Sequence, residues 1–141
     1  MKKIAVLLIM LISLTGLTAC ASANVLTVEM EMDADYSHTN PFENGRLFCV
    51  SEDMKALDAE VSVQMDGERG TVEIKDRNAD DILWSKTWEG NVKDDTVTIL
   101  LENLQKDKEY VVRFTGFEIT NALIKVTFDS NLVQEKERPS K

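Results

Sequence analysis

Two tryptophans four residues apart are the side chains best suited to bind a ligand. On a β-strand, Trp84 and Trp88 would share one face with Ile82 and Lys86, because successive side chains alternate between the two faces. A flat aromatic surface of this kind can stack on a sugar ring or receive a protein partner. The alternative is that both indoles fill the core, and it is favoured because large aromatic side chains in a small domain mostly serve packing.

A short acidic run is the next candidate. Asp76, Asn78 and Asp80 follow the order D-x-N-x-D, which begins the calcium loop of an EF-hand. The pattern then fails, because Asp81 stands where the loop needs glycine and Thr87 where it needs a bidentate glutamate. We interpret the run as a polar turn and keep the three residues as weak calcium candidates. A second acidic patch is a weaker cation candidate because it has no recognised ligand spacing; it consists of Asp33, Asp35, Asn40 and Glu43. No zinc site or other cofactor is indicated.

Catalytic chemistry has little support in this sequence. His38 is the only histidine, and no G-x-S-x-G nucleophile motif is present. Cys49 lies in an apolar run, which favours a buried small side chain over a reactive thiol. A pair of catalytic carboxylates leaves no sequence signature among 25 acidic residues. We therefore predict no catalytic residues and rank a hydrolase last among the alternatives.

The N-terminus has the organisation of an export signal. Lys2 and Lys3 precede an apolar stretch over residues 4–14, which is shorter than the roughly 20 residues that a transmembrane helix needs. It ends close to a set of four residues that resembles the bacterial lipobox, namely Leu17, Thr18, Ala19 and Cys20. The resemblance implies cleavage before Cys20 by signal peptidase II and a diacylglyceryl group on the Cys20 thiol.

The lipobox resemblance predicts a bacterial lipoprotein on the extracytoplasmic face of a membrane. Two acyl chains, each contributing about 0.8 kcal/mol per buried methylene, would hold the protein on the bilayer. An alternative is the A-x-A pattern at residues 21–23, where ordinary cleavage before Asn24 would release a soluble protein. The lipobox is favoured because the apolar stretch ends nearer to Cys20.

The composition indicates an acidic, single-domain protein. Residues 20–141 number 122, and without Lys2 and Lys3 they contain 14 basic and 25 acidic side chains, a formal charge of −11. Such a surface repels nucleic acids and anionic lipid headgroups, so membrane binding would depend on the anchor at Cys20. With Cys20 lipidated, Cys49 has no partner for a disulfide.

Beyond the leader, apolar residues recur at every second position. The clearest case is Leu57 to Met65, where five apolar side chains alternate with polar ones. Asp66 to Gly70 then predicts a chain reversal, with Thr71 to Lys75 returning as a hairpin partner. A single helical turn fits residues 51–55, and the stretch 33–45 predicts a long loop.

The order of strands and polar turns from Gly70 to Phe128 is similar to that of small jelly-roll modules of secreted bacterial enzymes and adhesins. The similarity includes the strand at Tyr110 to Thr115. Such modules bind sugars, collagen or calcium, or only stabilise their neighbours. We predict an all-β antiparallel sandwich of 7–8 strands after a signal helix. The expected segments are a signal peptide at 1–19, a lipidated tether at 20–24, the sandwich at 25–129 and a disordered polar tail at 130–141.

The sequence thus predicts a lipid-anchored module of the bacterial cell envelope that works by binding or by structural support. The alternatives are a carbohydrate- or protein-binding surface that uses Trp84 and Trp88, and a calcium-stabilised module. The expected partners are the membrane, through Cys20, and an envelope protein or glycan, with nucleic acid excluded by the charge.

Overall fold

Two long strands organise the molecule and position all the others. The computed structural model describes residues 25–33, 41–79 and 81–136. Within these ranges the chain is all-β, and its seven strands are β1 (Thr27–Asp33), β2 (Phe42–Val50), β3 (Met54–Asp76), β4 (Ile82–Glu89), β5 (Val92–Leu104), β6 (Tyr110–Phe128) and β7 (Val133–Lys136). The long strands are β3, with 23 residues, and β6, with 19 residues.

Strands β3 and β6 pair antiparallel over most of their length, and their register shifts between Asp66 and Gly67. This shift divides the sheet into two halves. Half-sheet A contains β5, residues 54–66 of β3, residues 119–128 of β6, and β1. Half-sheet B contains β4, residues 67–76 of β3, residues 110–117 of β6, β2 and β7.

The two half-sheets pack face to face around one core. Along β3 the buried residues are odd-numbered from Leu57 to Met65 and even-numbered from Gly70 to Asp76, so the register shift keeps the same face of both halves turned inward. The ring centroids of Phe48 in half-sheet B and Phe128 in half-sheet A lie 4.5 Å apart. The predicted antiparallel β-sandwich of 7–8 strands is therefore confirmed.

The passage between the half-sheets, which we call the corner, consists of residues 66–70 of β3 and 116–120 of β6. The chain reversal predicted at Asp66 to Gly70 is wrong, because β3 continues through it. A Cβ atom at Gly67 would lie 2.7 Å from the carbonyl oxygen of Glu118, and one at Gly70 would lie 2.7 Å from the sulfur of Met65. These glycines mark a close approach of backbone and core, which a sequence does not distinguish from a turn.

Three further expectations differ from the structure. Residues 51–55 form no helical turn, since β3 begins at Met54. The end of the predicted loop, from Phe42, is already strand β2. Residues 133–136, predicted to be disordered, form β7, because Val133 is buried against the core and pairs with Val50. The remainder of the predicted tail, 137–141, lies outside the described residues.

The whole predicted leader and tether, residues 1–24, also lies outside the described residues, and with it the lipobox. Where the structure describes the chain, it contains no helix that is long and apolar enough to span a bilayer.

Candidate functional site

The outer face of half-sheet B carries a hollow that the sequence did not reveal. Gly45 on β2 lies opposite Arg113 on β6, and Leu47 lies opposite Val111. Their neighbours Phe48 and Tyr110 point into the core, so alternation directs these four residues outward. The hollow has a volume of about 360 Å³ and is lined by Glu43, Asn44, Gly45, Leu47, Arg77, Val111 and Arg113.

The floor of the hollow is apolar although it belongs to an outer face. Leu47 and Val111 are 8% and 7% exposed, which is unusual for side chains that point away from the core. Cys49, the next outward residue on β2, is buried beside them as a free thiol. The expectation that Cys49 is a buried small side chain is confirmed.

Gly45 creates the empty space above this floor. Its backbone does not have the positive φ that favours glycine, unlike that of Gly90. A Cβ at Gly45 would meet Val111 Cγ2 at 3.3 Å, and its next neighbour, the Val112 carbonyl oxygen, would be 3.6 Å away. A glycine inside a strand weakens it by roughly 0.5–1 kcal/mol relative to alanine. Backbone conformation therefore does not explain the glycine, and the contact with Val111 Cγ2 is tight but involves a single side-chain methyl group.

Charged side chains form the rim. Arg113 is half-buried, and its register partners are Glu73 on β3 and Gly45 on β2. Glu43 lies two residues before Gly45 on the same face of β2. Among the described residues, the Arg113 guanidinium forms no ion pair or hydrogen bond with either carboxylate. In the part of the chain that the structure describes, neither the Arg113 guanidinium nor the Glu43 carboxylate has an ion-pair partner, and both residues line the hollow.

Arg77, on the opposite side of the rim, is held in place. Its backbone N–H donates to the Glu109 carbonyl oxygen at 3.1 Å, and its guanidinium forms an ion pair with the Glu109 carboxylate. Lys136 Nζ lies 3.6 Å from Glu109 Oε1, which ties the edge strand β7 to the same carboxylate. The hydrogen bond from Arg77 lowers the pKa of Glu109, so this carboxylate is charged at neutral pH.

The turn that carries Arg77 is built on Asp76. This carboxylate is 3% exposed and accepts hydrogen bonds at Oδ1 from the backbone N–H groups of Asn78 and Ala79, at 2.8 and 3.2 Å. Lys108 Nζ lies 2.5 Å from its Oδ2. The pKa of Asp76 is lowered chiefly by the Lys108 hydrogen bond, against the opposing effect of burial.

These contacts bear on the weak calcium candidates. The Asp76 carboxylate already bonds the turn and Lys108, while Asp80 lies outside the described residues. Within the part of the chain that the structure describes, no three His, Cys, Asp or Glu residues are grouped to hold a metal. The polar turn that we inferred from the sequence is present at 77–79.

The two tryptophans have different environments. Trp88 is 6% exposed, belongs to the core and donates its indole N–H to Asp95 Oδ2 at 2.6 Å. Trp84 is half-buried and packs against the edge of the core. Lys86 lies between them, with its Nζ 5.2 Å from the Trp88 ring. For Trp88 the packing alternative holds, so the two indoles do not form a joint exposed platform.

A family model matches the chain over residues 16–140 and bears the description "Domain of unknown function (DUF4624)". The chain belongs to the DUF4624 family. The match includes all the described strands. No curated protein sequence matches the chain.

Two solved structures resemble this DUF4624 protein. A family 35 carbohydrate-binding module from an environmental isolate is 14% identical with a TM-score of 0.49, covering 83% of this chain and 92% of that one. A structure titled "CBM4 structure and function" is 15% identical with a TM-score of 0.44, covering 67% of this chain and 61% of that one. At these scores neither match assigns a ligand to the DUF4624 chain.

The sequence did carry two weak signals for the DUF4624 hollow. Arg113 is a lone charge within the strand Y-V-V-R-F, and Gly45 lies two residues before an apolar run. A lone arginine in an apolar strand is also typical of a solvated edge, and the absence of periodicity over residues 33–45 predicts a loop around Gly45. Only the pairing of β2 with β6 brings the two residues together. His38 and the lipobox residues lie outside the described residues.

Proposed function

We propose that this protein is a lipid-anchored, extracytoplasmic module of the bacterial cell envelope that binds a ligand, without catalysis, through the hollow between β2 and β6. The observation that carries the binding role is the hollow itself. An apolar floor lies between a half-buried arginine and a carboxylate, and this combination is typical of small-ligand sites, where a few polar groups orient the ligand over apolar surface.

The anchor is supported by the sequence. Four residues, 21–24, separate the predicted lipid attachment at Cys20 from Val25, and four residues span at most about 15 Å. The described domain would therefore remain close to the membrane surface. A binding module held there could reach components of the wall or of neighbouring envelope proteins.

Membrane fractionation tests the anchor. The Cys20→Ala chain should move from the membrane fraction to the medium or the periplasm, or accumulate as an uncleaved precursor. Cys49→Ala is a matched control, because it removes the other cysteine and should leave the protein in the membrane. A correctly processed Cys20→Ala chain that stays membrane-bound would contradict the anchor.

Co-sedimentation with purified cell-wall sacculi tests the binding role. Detergent-solubilised wild-type protein should sediment with the sacculi, and Gly45→Leu should not, because its side chain fills the hollow. Ser62→Leu is the control: Ser62 is also half-buried and points outward, but on half-sheet A. Equal binding by wild type and Gly45→Leu, with both chains folded, would overturn this role for the hollow.

A further inference from the structure

We propose that the ligand of this hollow carries a carboxylate, and that Arg113 is the residue that binds it. The inference rests on the proposed binding role and adds the chemistry of the ligand. It follows from the charges around the hollow, from its apolar floor and from a second hollow that differs in charge.

Arg113 is a cation that has no ion-pair partner among the described residues of a predominantly acidic chain. Arg113 is half-buried as a residue, and among the described residues its guanidinium receives no ion pair. A guanidinium binds a carboxylate through two parallel hydrogen bonds, which makes it the preferred partner of a planar anion. Arg77 adds a second guanidinium to the same rim, but its charge is paired with Glu109.

Glu43 restricts the ligand further. A carboxylate on the rim accepts hydrogen bonds, so the ligand should present hydroxyl or amide donors beside its own carboxylate. It also repels additional negative charge, which disfavours doubly charged groups such as phosphate. Leu47 and Val111 line the floor and are 8% and 7% exposed, so they offer the carbon skeleton a small apolar contact.

Half-sheet A provides a contrast within the same molecule. A hollow of about 320 Å³ near the start of β1 is lined by Asp58, Glu60 and Asp129, and none of the described residues that line it is basic. Although it is similar in size to the first hollow, it would repel a carboxylate. The charge around the hollow between β2 and β6, and not its volume alone, therefore indicates the ligand.

Pairs of probes that differ in charge test the proposal. Saturation-transfer difference NMR on the detergent-solubilised full chain would compare N-acetyl-alanine with N-acetyl-alaninamide, and glucuronate with glucose. At least one carboxylate should bind with a dissociation constant on the order of 1 mM and its neutral partner about tenfold more weakly. The carboxylate that binds more tightly shows whether the natural ligand is a peptide terminus or a sugar acid. Inorganic phosphate should not displace either carboxylate probe.

Two variants assign the effect to a residue. Arg113→Gln should abolish the preference for the charged probe, whereas Arg69→Gln should retain it, because Arg69 lies on the same outer face but over the ring of Phe117. The inference is overturned if neither carboxylate binds, if the neutral partners bind equally well, or if the preference survives in Arg113→Gln. The proposed binding role has its own test, since retention on sacculi that depends on Gly45 but not on Arg113 would leave that role intact.

Discussion

The corner and the hollow both depend on glycine, for opposite reasons. At the corner, a Cβ on Gly67 would lie 2.7 Å from the Glu118 carbonyl oxygen and 2.8 Å from the Ile119 Cα, so there is no room for a side chain. At the hollow, the nearest atom to a Cβ on Gly45 would be 3.3 Å away. The corner glycine is needed for packing, whereas the hollow glycine leaves an empty surface.

The two regions also differ in what holds them. The corner combines close packing with hydrogen bonds across the register shift, such as Asn121 Nδ2 to Asp66 Oδ2 at 3.0 Å. The rim of the hollow is held by ion pairs, with Arg77 bound to Glu109. Substitutions at the corner should therefore affect folding, while those at the hollow should affect binding with little effect on stability.

The largest expected effect comes from Trp88, which lies opposite Gly70 at the corner. Trp88→Ala should lower the free energy of unfolding by about 3–5 kcal/mol, because it empties a core position and leaves Asp95 without its indole donor. Chemical denaturation followed by circular dichroism would measure this. Trp84→Ala should cost clearly less, since Trp84 is half-buried; equal losses would contradict the difference between the two indoles.

Gly67→Ala should have the next largest effect. The added methyl group meets backbone atoms, which move less readily than a side chain, so a loss of about 3 kcal/mol is expected, at the upper end for overpacking. Thermal unfolding would measure the loss. Wild-type stability in this variant would show that the corner has more space than the structure indicates.

The sequence predicted the layers of the fold better than its connections. Alternation from Leu57 to Met65 identified a buried face that the structure confirms, because a period of two directly reflects the geometry of a strand. It failed at Asp66 to Gly70, where polar residues and two glycines have the composition of a turn. Whether β3 bends or reverses there depends on its pairing with β6, which local sequence does not encode.

The candidate site was less predictable for the same reason. Gly45 and Arg113 are 68 positions apart in the sequence and become neighbours only through the register of β2 with β6. The sequence motifs drew attention to Trp84, Trp88 and Asp76 instead. Trp88 and Asp76 are both buried, because Trp88 packs in the core and Asp76 holds the turn.

Asp76→Asn tests whether the Asp76–Lys108 ion pair stabilises the turn beside the hollow. The variant keeps an acceptor for the turn but loses the charge beside Lys108, which should cost about 1–2 kcal/mol at neutral pH. Because the native pKa of Asp76 is lowered, the wild-type advantage is fully present above its unfolded pKa of about 3.9 and is lost as the pH falls through the native value.

Urea denaturation of wild type and Asp76→Asn from neutral pH down to about pH 2 would reveal this dependence. The stability difference between the two chains should shrink as the solution becomes more acidic. Lys108→Gln is the control for the partner, and its difference from wild type should shrink in the same direction. A difference that is independent of pH would mean that the ion pair does not stabilise the turn that carries Arg77.

The smallest effect on stability is expected at Gly45. Gly45→Ala should raise the free energy of unfolding by less than about 1 kcal/mol. Alanine restricts the unfolded chain, and Val111 Cγ2 needs to move only slightly to accept the new methyl group. Chemical denaturation of both variants should therefore show that Gly45→Ala raises the free energy of unfolding and that Gly67→Ala lowers it, although the chemical change is the same. If Gly45→Ala proved as damaging as Gly67→Ala, Gly45 would be a packing glycine as well. The hollow would then be a by-product of strand packing, and its shape would no longer support a binding role.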